Sequence, residues 1–168
     1  QVNIFVTNPN PGINIISTFV KVDINNFNQI KNIIIKHNIS FVLVGPEIPL
    51  INGIVDFIKS DPLFSNILII GPSESGSRLE GSKEFAKNFM YKYNIPTASY
   101  MSFSKESINE AIEFIKKSNP PYVLKADGPA AGKGVIIVQS KEDAIINLKD
   151  MLLHSKFGKS SNKVVIEE

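Results

Sequence analysis

The sequence contains no cysteine among its 168 residues. This absence excludes a disulfide scaffold and thiolate metal sites, and it is typical of a reducing compartment, so we expect a cytoplasmic protein. Arg78 is the single arginine, so lysine side chains must neutralise any bound phosphate group. The 18 basic and 16 acidic residues leave a net charge of +2, which does not favour a nucleic-acid groove built on bulk charge.

Long apolar runs are also missing. No run approaches the ~20 residues that a helix needs to cross a bilayer, and the opening QVNIFVTN lacks the basic and apolar regions of a signal peptide. We therefore expect neither a membrane nor a nucleic acid as partner. The chain starts with Gln and stops at VVIEE without a turn or cap, so we expect it to be a fragment of a longer protein.

In the first half of the chain, short apolar runs alternate with helical periodicity. Residues 41–44 and 67–70 are continuously apolar, and residues 2–6 are apolar apart from Asn3, which is typical of strands covered on both faces. Apolar residues at helical spacing occupy 27–37 and 51–58 between them. This alternation predicts an α/β fold with a doubly wound parallel sheet. Ligands bind beyond the carboxyl ends of such strands, which singles out GPEIPL and GPSESGSRLEGSK, the stretches after the second and third runs.

The second half has an α+β pattern, and we expect the domain boundary near residues 81–96. A helix is predicted over 83–94 with Ser82 as its cap, and an amphipathic helix over 105–117. A further helix begins after Ser140, whose side chain forms a capping box with Asp143. The final KVVIEE is predicted to be a strand.

The stretch PYVLKADGPAAGKGVIIV is similar to a phosphate-binding loop but is not a Walker loop. Three residues separate Gly128 from Gly132, Lys133 precedes another glycine, and a strand rather than a helix follows. The pattern predicts two antiparallel strands whose tip of small residues exposes N–H groups to phosphate oxygens. Lys125 alternates onto one strand face and would point toward the same phosphates. The alternative is a plain hairpin with solvated lysines, although a tip from Gly128 to Gly134 is longer than most hairpin connections.

Five motifs together resemble the phosphoribosylamine–glycine ligase family of the ATP-grasp superfamily: VGPEIPL, GPSESGSRLEGSKEFAKNFM, YNIPTASY, LKADGPAAGKGV and VVIEE. The resemblance covers residues 41–168 in order and spacing, and residues 1–40 fit by position. It implies that residues 1–82 form a Rossmann-like pre-ATP-grasp substrate domain, incomplete at its N-terminus. It also implies that residues 83–168 form the N-terminal lobe of an ATP-grasp domain, incomplete at its C-terminus.

The activity implied by the resemblance is ATP-dependent ligation of glycine to 5-phosphoribosylamine through a glycyl phosphate. The products are glycinamide ribonucleotide, ADP and phosphate, in de novo purine biosynthesis. Mg²⁺ or Mn²⁺ is implied as cofactor, with ligands outside this chain, and the parent enzyme is expected to be monomeric. Because the resemblance places catalytic residues and metal ligands elsewhere, we expect this chain alone to bind nucleotide weakly without turnover.

The resemblance also implies two sets of binding residues. Lys83 and Lys125 would contact ATP phosphates, the glycine-rich segment would form a mobile lid, and the last strand would hold adenine. The implied ATP-binding residues are Lys83, Lys125, Gly128, Ala130, Ala131, Gly132, Lys133, Gly134, Ile166, Glu167 and Glu168. The implied substrate-binding residues are Gly45, Pro46, Glu47, Gly71, Pro72 and Ser73. Pro129 stands where the family usually has leucine, so we expect an altered lid motion or the loss of one phosphate contact.

Other interpretations of the same residues remain open from the sequence. Another ATP-grasp ligase, similar to biotin carboxylase or to carboxyaminoimidazole ribonucleotide synthase, would share the lysines and the lid but not GPEIPL with LEGSK. A non-catalytic dinucleotide-binding module is a third alternative, and the sequence shows no G-x-G-x-x-G after any strand. Glu47 could instead cap a helix, and Asp127 could organise the turn beside the glycines.

Overall fold

The computed structural model of the protein describes residues 2–167. Two compact units divide the chain, with the first ending at Gly76 and the second beginning at Ser77. The first unit and the connecting helix contain β1 (Phe5–Val6), β2 (Thr18–Phe19), α1 (Phe27–Lys36), β3 (Phe41–Leu43), α2 (Glu47–Ile51), α3 (Ile54–Ser60), β4 (Leu68–Ile70) and α4 (Glu74–Gly81). The second unit continues with α5 (Lys83–Lys92), β5 (Tyr100–Ser104), α6 (Ile108–Lys117), β6 (Tyr122–Ala126), β7 (Val135–Val138), α7 (Lys141–Leu153) and β8 (Lys163–Glu167).

The strands of the first unit pair in parallel, as the alternation of strands and helices predicts. β1 pairs with β2, and β3 pairs with β4 in the register Val42 to Ile69. Within the described residues these are two separate two-stranded sheets rather than one continuous sheet. The pairing of β3 with β4 across α2 and α3 is the crossover connection of an α/β fold. The α/β class is therefore confirmed, and the short β2, with only two residues, is an element that the sequence pattern did not predict.

The core of the first unit is formed by the helix faces that the periodicity predicts. Ile30 and Ile34 of α1 pack with Val55 and Ile58 of α3, and Ile69 of β4 joins them. This confirms the helical interpretation of both segments. Each such buried aliphatic side chain contributes about 1.5–3 kcal/mol relative to an exposed one.

The prediction that β3 and β4 are covered on both faces, however, is wrong for the described residues. The exposed fractions of Leu43 and Leu68 are 68% and 62%, and Phe41 and Ile70 are exposed as well. Alternate side chains of a strand point to opposite faces, so only the face with Ile69 packs on the core. An unbroken apolar run cannot distinguish a strand with two covered faces from one whose open face is also apolar.

A four-stranded antiparallel sheet organises the second unit, in the order β5-β8-β6-β7. One face of this sheet packs on α6 and α7. The buried residues of that core are Phe103, Ala111, Ile115, Tyr122, Leu124, Ala126, Ala144, Leu148, Met151, Leu152, Val164 and Ile166. Because side chains alternate along each strand, the opposite face carries Lys125 and Glu167. The predicted strand–loop–strand is confirmed as β6 and β7, with Lys125 opposite Val135.

Two side chains cap the N-terminus of α5. Ser82 Oγ accepts a hydrogen bond from the Phe85 N–H (3.1 Å), which confirms the predicted cap. Asp127 Oδ1, at the end of β6, accepts from the Glu84 N–H (2.8 Å) and from the Ser82 hydroxyl (3.0 Å). The Lys83 N–H also donates to the Asp127 carbonyl (3.2 Å). Asp127 therefore fixes the first turn of α5 to the start of the glycine-rich loop.

Replacing Asp127 tests this connection. Asp127→Ala should lower the free energy of unfolding by about 1–2 kcal/mol, because helix N–H groups lose their acceptor. Asp127→Asn should cost less, since its amide oxygen can still accept. Denaturant unfolding followed by circular dichroism measures both. Asp150→Ala is the matched control, because Asp150 forms only an exposed pair with His154, and it should change stability by no more than about 0.5 kcal/mol. Equal stability of the Asp127→Ala and Asp150→Ala variants would contradict the role of the cap.

Candidate functional site

Helix α5 presents two lysines to the sheet, one helical turn apart. The cap at Ser82 starts the helix at Lys83, and Lys87 follows four residues later, so both side chains lie on one side of the helix. Lys83 Nζ lies 3.5 Å from the Asp127 carbonyl oxygen and 3.4 Å from that of Gly128. The Lys83 ammonium is therefore at the base of the glycine-rich loop, where the sequence predicts phosphate binding.

Lys125 and Lys87 share one carboxylate. Glu167 Oε1 lies 2.8 Å from Lys125 Nζ and 3.1 Å from Lys87 Nζ. The register explains the first contact, because Lys125 is opposite Val165 and Glu167 is two residues further along the same face of β8. Lys87 and Glu167 are each only 7% exposed. Two ammonium groups face one carboxylate, so this cluster carries one surplus positive charge.

Lys87 is a residue that the sequence analysis missed. Its ammonium donates to Thr97 Oγ1 (2.6 Å) and to the Ala98 carbonyl (3.2 Å), in addition to its contact with Glu167. Two hydrogen bonds and one ion pair therefore hold this ammonium in place. The spacing of four residues from Lys83 was the available signal, since it places both lysines on one helix face.

The first half of the glycine-rich loop is fixed to the segment before β8. The Gly128 N–H donates to the Ser160 carbonyl (3.0 Å) and the Asp127 N–H to the Lys163 carbonyl (3.0 Å). The Ser160 hydroxyl donates to the Pro129 carbonyl. A Cβ atom at Gly128 would lie 2.9 Å from Ser160 Cα, so this close approach requires glycine. The backbone donor of Gly128 is therefore already used within the protein.

The tip of the loop is a tight turn. The Lys133 N–H donates to the Ala130 carbonyl (2.9 Å), and the two residues between them, Ala131 and Gly132, have φ of 48° and 77°. Positive φ at both central positions is the pattern of a type I′ turn. Ala131, Gly132 and Lys133 are exposed. Within the described chain neither the Ala131 nor the Gly132 N–H group donates to a backbone carbonyl.

Of the predicted adenine-binding residues, only Glu167 places its side chain on the lysine face. Ile166 is buried in the opposite face, in the core with α6 and α7. β8 is paired on both sides, so Ile166 lies between Met101 and Leu124, and Glu167 between Tyr100 and Val123. Glu168 lies outside the described residues. An adenine contact by the backbone of this strand stays a prediction.

The predicted substrate-binding residues come together at one edge of the first unit. β3 and β4 are parallel neighbours, and the Val44 N–H donates to the Ile70 carbonyl (3.1 Å) just before both strands turn. The loops that follow are therefore adjacent, one with Gly45, Pro46 and Glu47 and the other with Gly71, Pro72 and Ser73. Glu47 is the first residue of α2 and is exposed, so its carboxylate is available to a ligand.

One further ion pair lies at the surface of α5, between Lys163 and Glu84. Lys163 Nζ donates to Glu84 Oε2 (2.6 Å), and this hydrogen bond raises the pKa of the Lys163 ammonium.

Among residues 2–167, no three side chains of His, Asp or Glu cluster so that they could hold a metal ion. None of the helices in the same range is both apolar and long enough for a membrane span.

Comparison with known proteins shows relatives along the whole chain. The phosphoribosylamine–glycine ligase of Listeria monocytogenes is 47% identical over 133 residues, which is 79% of this chain and 30% of that protein. The ligase of Neisseria meningitidis serogroup B is 41% identical over 165 residues, 98% of this chain and 38% of that protein. The crystal structure of the ligase from Thermotoga maritima superposes with a TM-score of 0.70 and 32% identity, covering 99% of this chain and 37% of that one. This chain therefore spans about a third of the length of these relatives.

Two family models match consecutive parts of the chain. The N domain of phosphoribosylglycinamide synthetase matches residues 1–80. The ATP-grasp (A) domain of phosphoribosylglycinamide synthetase matches residues 81–168. The resemblance inferred from the sequence motifs is confirmed: this chain belongs to the phosphoribosylglycinamide synthetase family.

Proposed function

We propose that this chain forms the part of a phosphoribosylamine–glycine ligase that binds the ATP phosphates and the phosphoribosylamine. In the proposed reaction the glycine carboxylate takes the γ-phosphoryl group of ATP, giving glycyl phosphate and ADP. The amine of 5-phosphoribosylamine then attacks the acyl carbon, phosphate leaves, and glycinamide ribonucleotide forms, a step of de novo purine biosynthesis. Family membership supports the reaction, and disfavours the other ATP-grasp ligases and the dinucleotide module.

One observation carries the proposal for ATP: two lysines from different elements meet the same end of β6. Lys83 contacts the carbonyls of Asp127 and Gly128, and Lys125 lies on the strand two residues earlier. A triphosphate carries several negative charges, and transfer of its γ-phosphoryl group depends mainly on positioning and charge neutralisation. We propose that Lys83 and Lys125 supply this positive charge.

The contacts of Lys83 favour exchange for a phosphate. Its two acceptors are neutral carbonyl oxygens at 3.4 and 3.5 Å, which is long for a charged donor. A phosphate oxygen carries negative charge, so it would accept a shorter and stronger hydrogen bond from the ammonium than a neutral carbonyl oxygen does. The N–H groups of Ala131 and Gly132 at the loop tip would add neutral donors. Gly128, Ala130, Lys133 and Gly134 complete the proposed lid.

The first unit would hold the second substrate. We propose that Glu47 accepts hydrogen bonds from ribose hydroxyls of 5-phosphoribosylamine, with Gly45 and Pro46 shaping the turn. The adjacent loop of Gly71, Pro72 and Ser73 would contribute to the same subsite. The exposed carboxylate of Glu47 and the parallel pairing of β3 with β4 support this assignment.

From the resemblance we also propose that residues 1–82 form a substrate domain and residues 83–168 an ATP-grasp lobe. The enzyme is proposed to be monomeric and cytoplasmic. We further propose Mg²⁺ or Mn²⁺ as cofactor and adenine binding by Ile166, Glu167 and Glu168.

Neutral replacement of the two lysines tests phosphate binding by the 168-residue protein. Lys83→Met and Lys125→Met should each weaken ATP binding about 10- to 100-fold, since each removes a charge-assisted hydrogen bond of about 1.5–3 kcal/mol. Adenosine has no phosphates, so its affinity should change little. Isothermal titration calorimetry measures both ligands. Lys149→Met is the matched control, because Lys149 is an exposed lysine of α7. The assignment is wrong if both site variants bind ATP as tightly as this control.

A replacement of Glu47 tests the second subsite in a complete ligase that includes this sequence. Glu47→Gln should raise KM for 5-phosphoribosylamine about tenfold, because a neutral amide oxygen is a weaker acceptor than a carboxylate. KM for ATP should stay the same. Glu142→Gln, on the exposed first turn of α7, is the control for the loss of one negative charge. A Glu47→Gln enzyme with unchanged KM for 5-phosphoribosylamine would remove Glu47 from the subsite.

A further inference from the structure

The buried cluster of Lys87, Glu167 and Lys125 has a role beyond holding α5 against the sheet. We propose that Lys87 is a positioning residue for nucleotide binding: it neutralises Glu167, so that Lys125 brings an uncompensated positive charge to the phosphates. This inference rests on the proposed function, because it takes the ligand of Lys125 to be a phosphate group. It adds a third lysine to the site, one that touches no nucleotide itself.

The three side chains differ in their freedom to move. Lys87 is 7% exposed and its ammonium is held by Thr97 Oγ1, the Ala98 carbonyl and Glu167. Lys125 has a side chain that is 26% exposed, and among the described residues Glu167 is its single polar partner. Lys87 is therefore held beside Glu167, whereas the more exposed side chain of Lys125 can turn toward a ligand.

The charges explain why Lys87 is needed. Without it, Glu167 and Lys125 would form a neutral pair, and an arriving phosphate would meet an ammonium already matched by a carboxylate 2.8 Å away. The phosphate would also approach a carboxylate with no second cation to offset it. Lys87 Nζ lies 3.1 Å from Glu167 Oε1, so a second cation neutralises the carboxylate. Little water reaches Lys87 and Glu167, so these charges are weakly screened.

A purely structural role is the competing explanation for Lys87. Its three contacts would then only hold α5 to β8 and to the segment of Thr97 and Ala98. Such a role would be filled at lower desolvation cost by an apolar side chain of similar volume. The two explanations differ in whether the effect of Lys87 on ATP affinity requires the negative charge of Glu167. A positioning role requires that charge, and a purely structural role does not.

A double-mutant cycle on the 168-residue protein separates the two explanations. The variants are Lys87→Met, Glu167→Gln and the double variant, and isothermal titration measures ATP and adenosine binding for each. Lys87→Met should weaken ATP binding about tenfold or more and change adenosine affinity by no more than about twofold. In the Glu167→Gln background the same replacement should cost no more than about twofold for ATP, since no carboxylate remains to neutralise.

The control is Lys92→Met, which removes the same charge from an exposed position in the last turn of α5 and should leave ATP affinity unchanged. An equal loss of ATP affinity from Lys87→Met in both backgrounds would overturn the inference. So would an equal loss of ATP and adenosine affinity. If Lys87→Met does not fold, as judged by circular dichroism, Lys87→Gln takes its place in the cycle. Its neutral amide can still donate to Thr97 Oγ1 and to the Ala98 carbonyl, and the same outcomes support or overturn the inference.

Failure of this inference and failure of the proposed function give different results. If Lys125→Met leaves ATP affinity unchanged, the phosphate site itself is wrongly assigned. If Lys125→Met weakens ATP binding while Lys87→Met does not, the phosphate site stands and only the role of Lys87 is wrong.

Discussion

The carboxylate of Glu167, shared between Lys87 and Lys125, is the interaction on which the second unit's site depends. It joins α5, β6 and β8, three elements that are far apart in sequence. Ion pairs at the surface contribute little to stability, but Lys87 and Glu167 are buried, and losing one partner would leave a buried charge unpaired. The cluster therefore fixes the side chains of Lys125 and Glu167 on the face of the sheet opposite the core, and it also sets the net charge of that face.

Alternation along the strands makes such a site possible in a small unit. Leu124 and Ile166 face the core with α6 and α7, while Lys125 and Glu167, their neighbours in sequence, face the other way. One sheet thus has an apolar face that packs on α6 and α7 and an opposite face that carries the charged side chains of Lys125 and Glu167. At the end of β6, Asp127 caps α5 and the loop begins, so the helix that carries Lys83 and the loop below it are fixed to each other.

The sequence predicts those parts of the fold that depend on local chemistry. The caps at Ser82 and Ser140, the helix faces with Ile30 and Ile34, and the antiparallel β6 and β7 all follow from patterns within a few residues, and the structure confirms them. The exposed face of β3 and β4 was not predictable, since composition does not reveal what covers a strand. Lys87 was missed for a related reason: its partner Glu167 is eighty residues away, and local spacing cannot reveal such a pair. The nucleotide and substrate contacts of the predicted site residues stay predictions.

The strand order has a consequence for how this unit forms. β8 is the last of the four strands in sequence, yet it lies between β5 and β6. During synthesis β6 and β7 can pair early, but β5 has no neighbour until β8 is inserted, and contacts between such distant segments form slowly. The ammonium groups of Lys87 and Lys125 also lack the Glu167 carboxylate until β8 has joined the sheet. The pairing of all four strands and the ion pairs of Lys87 and Lys125 with Glu167 therefore both require β8 to join the sheet.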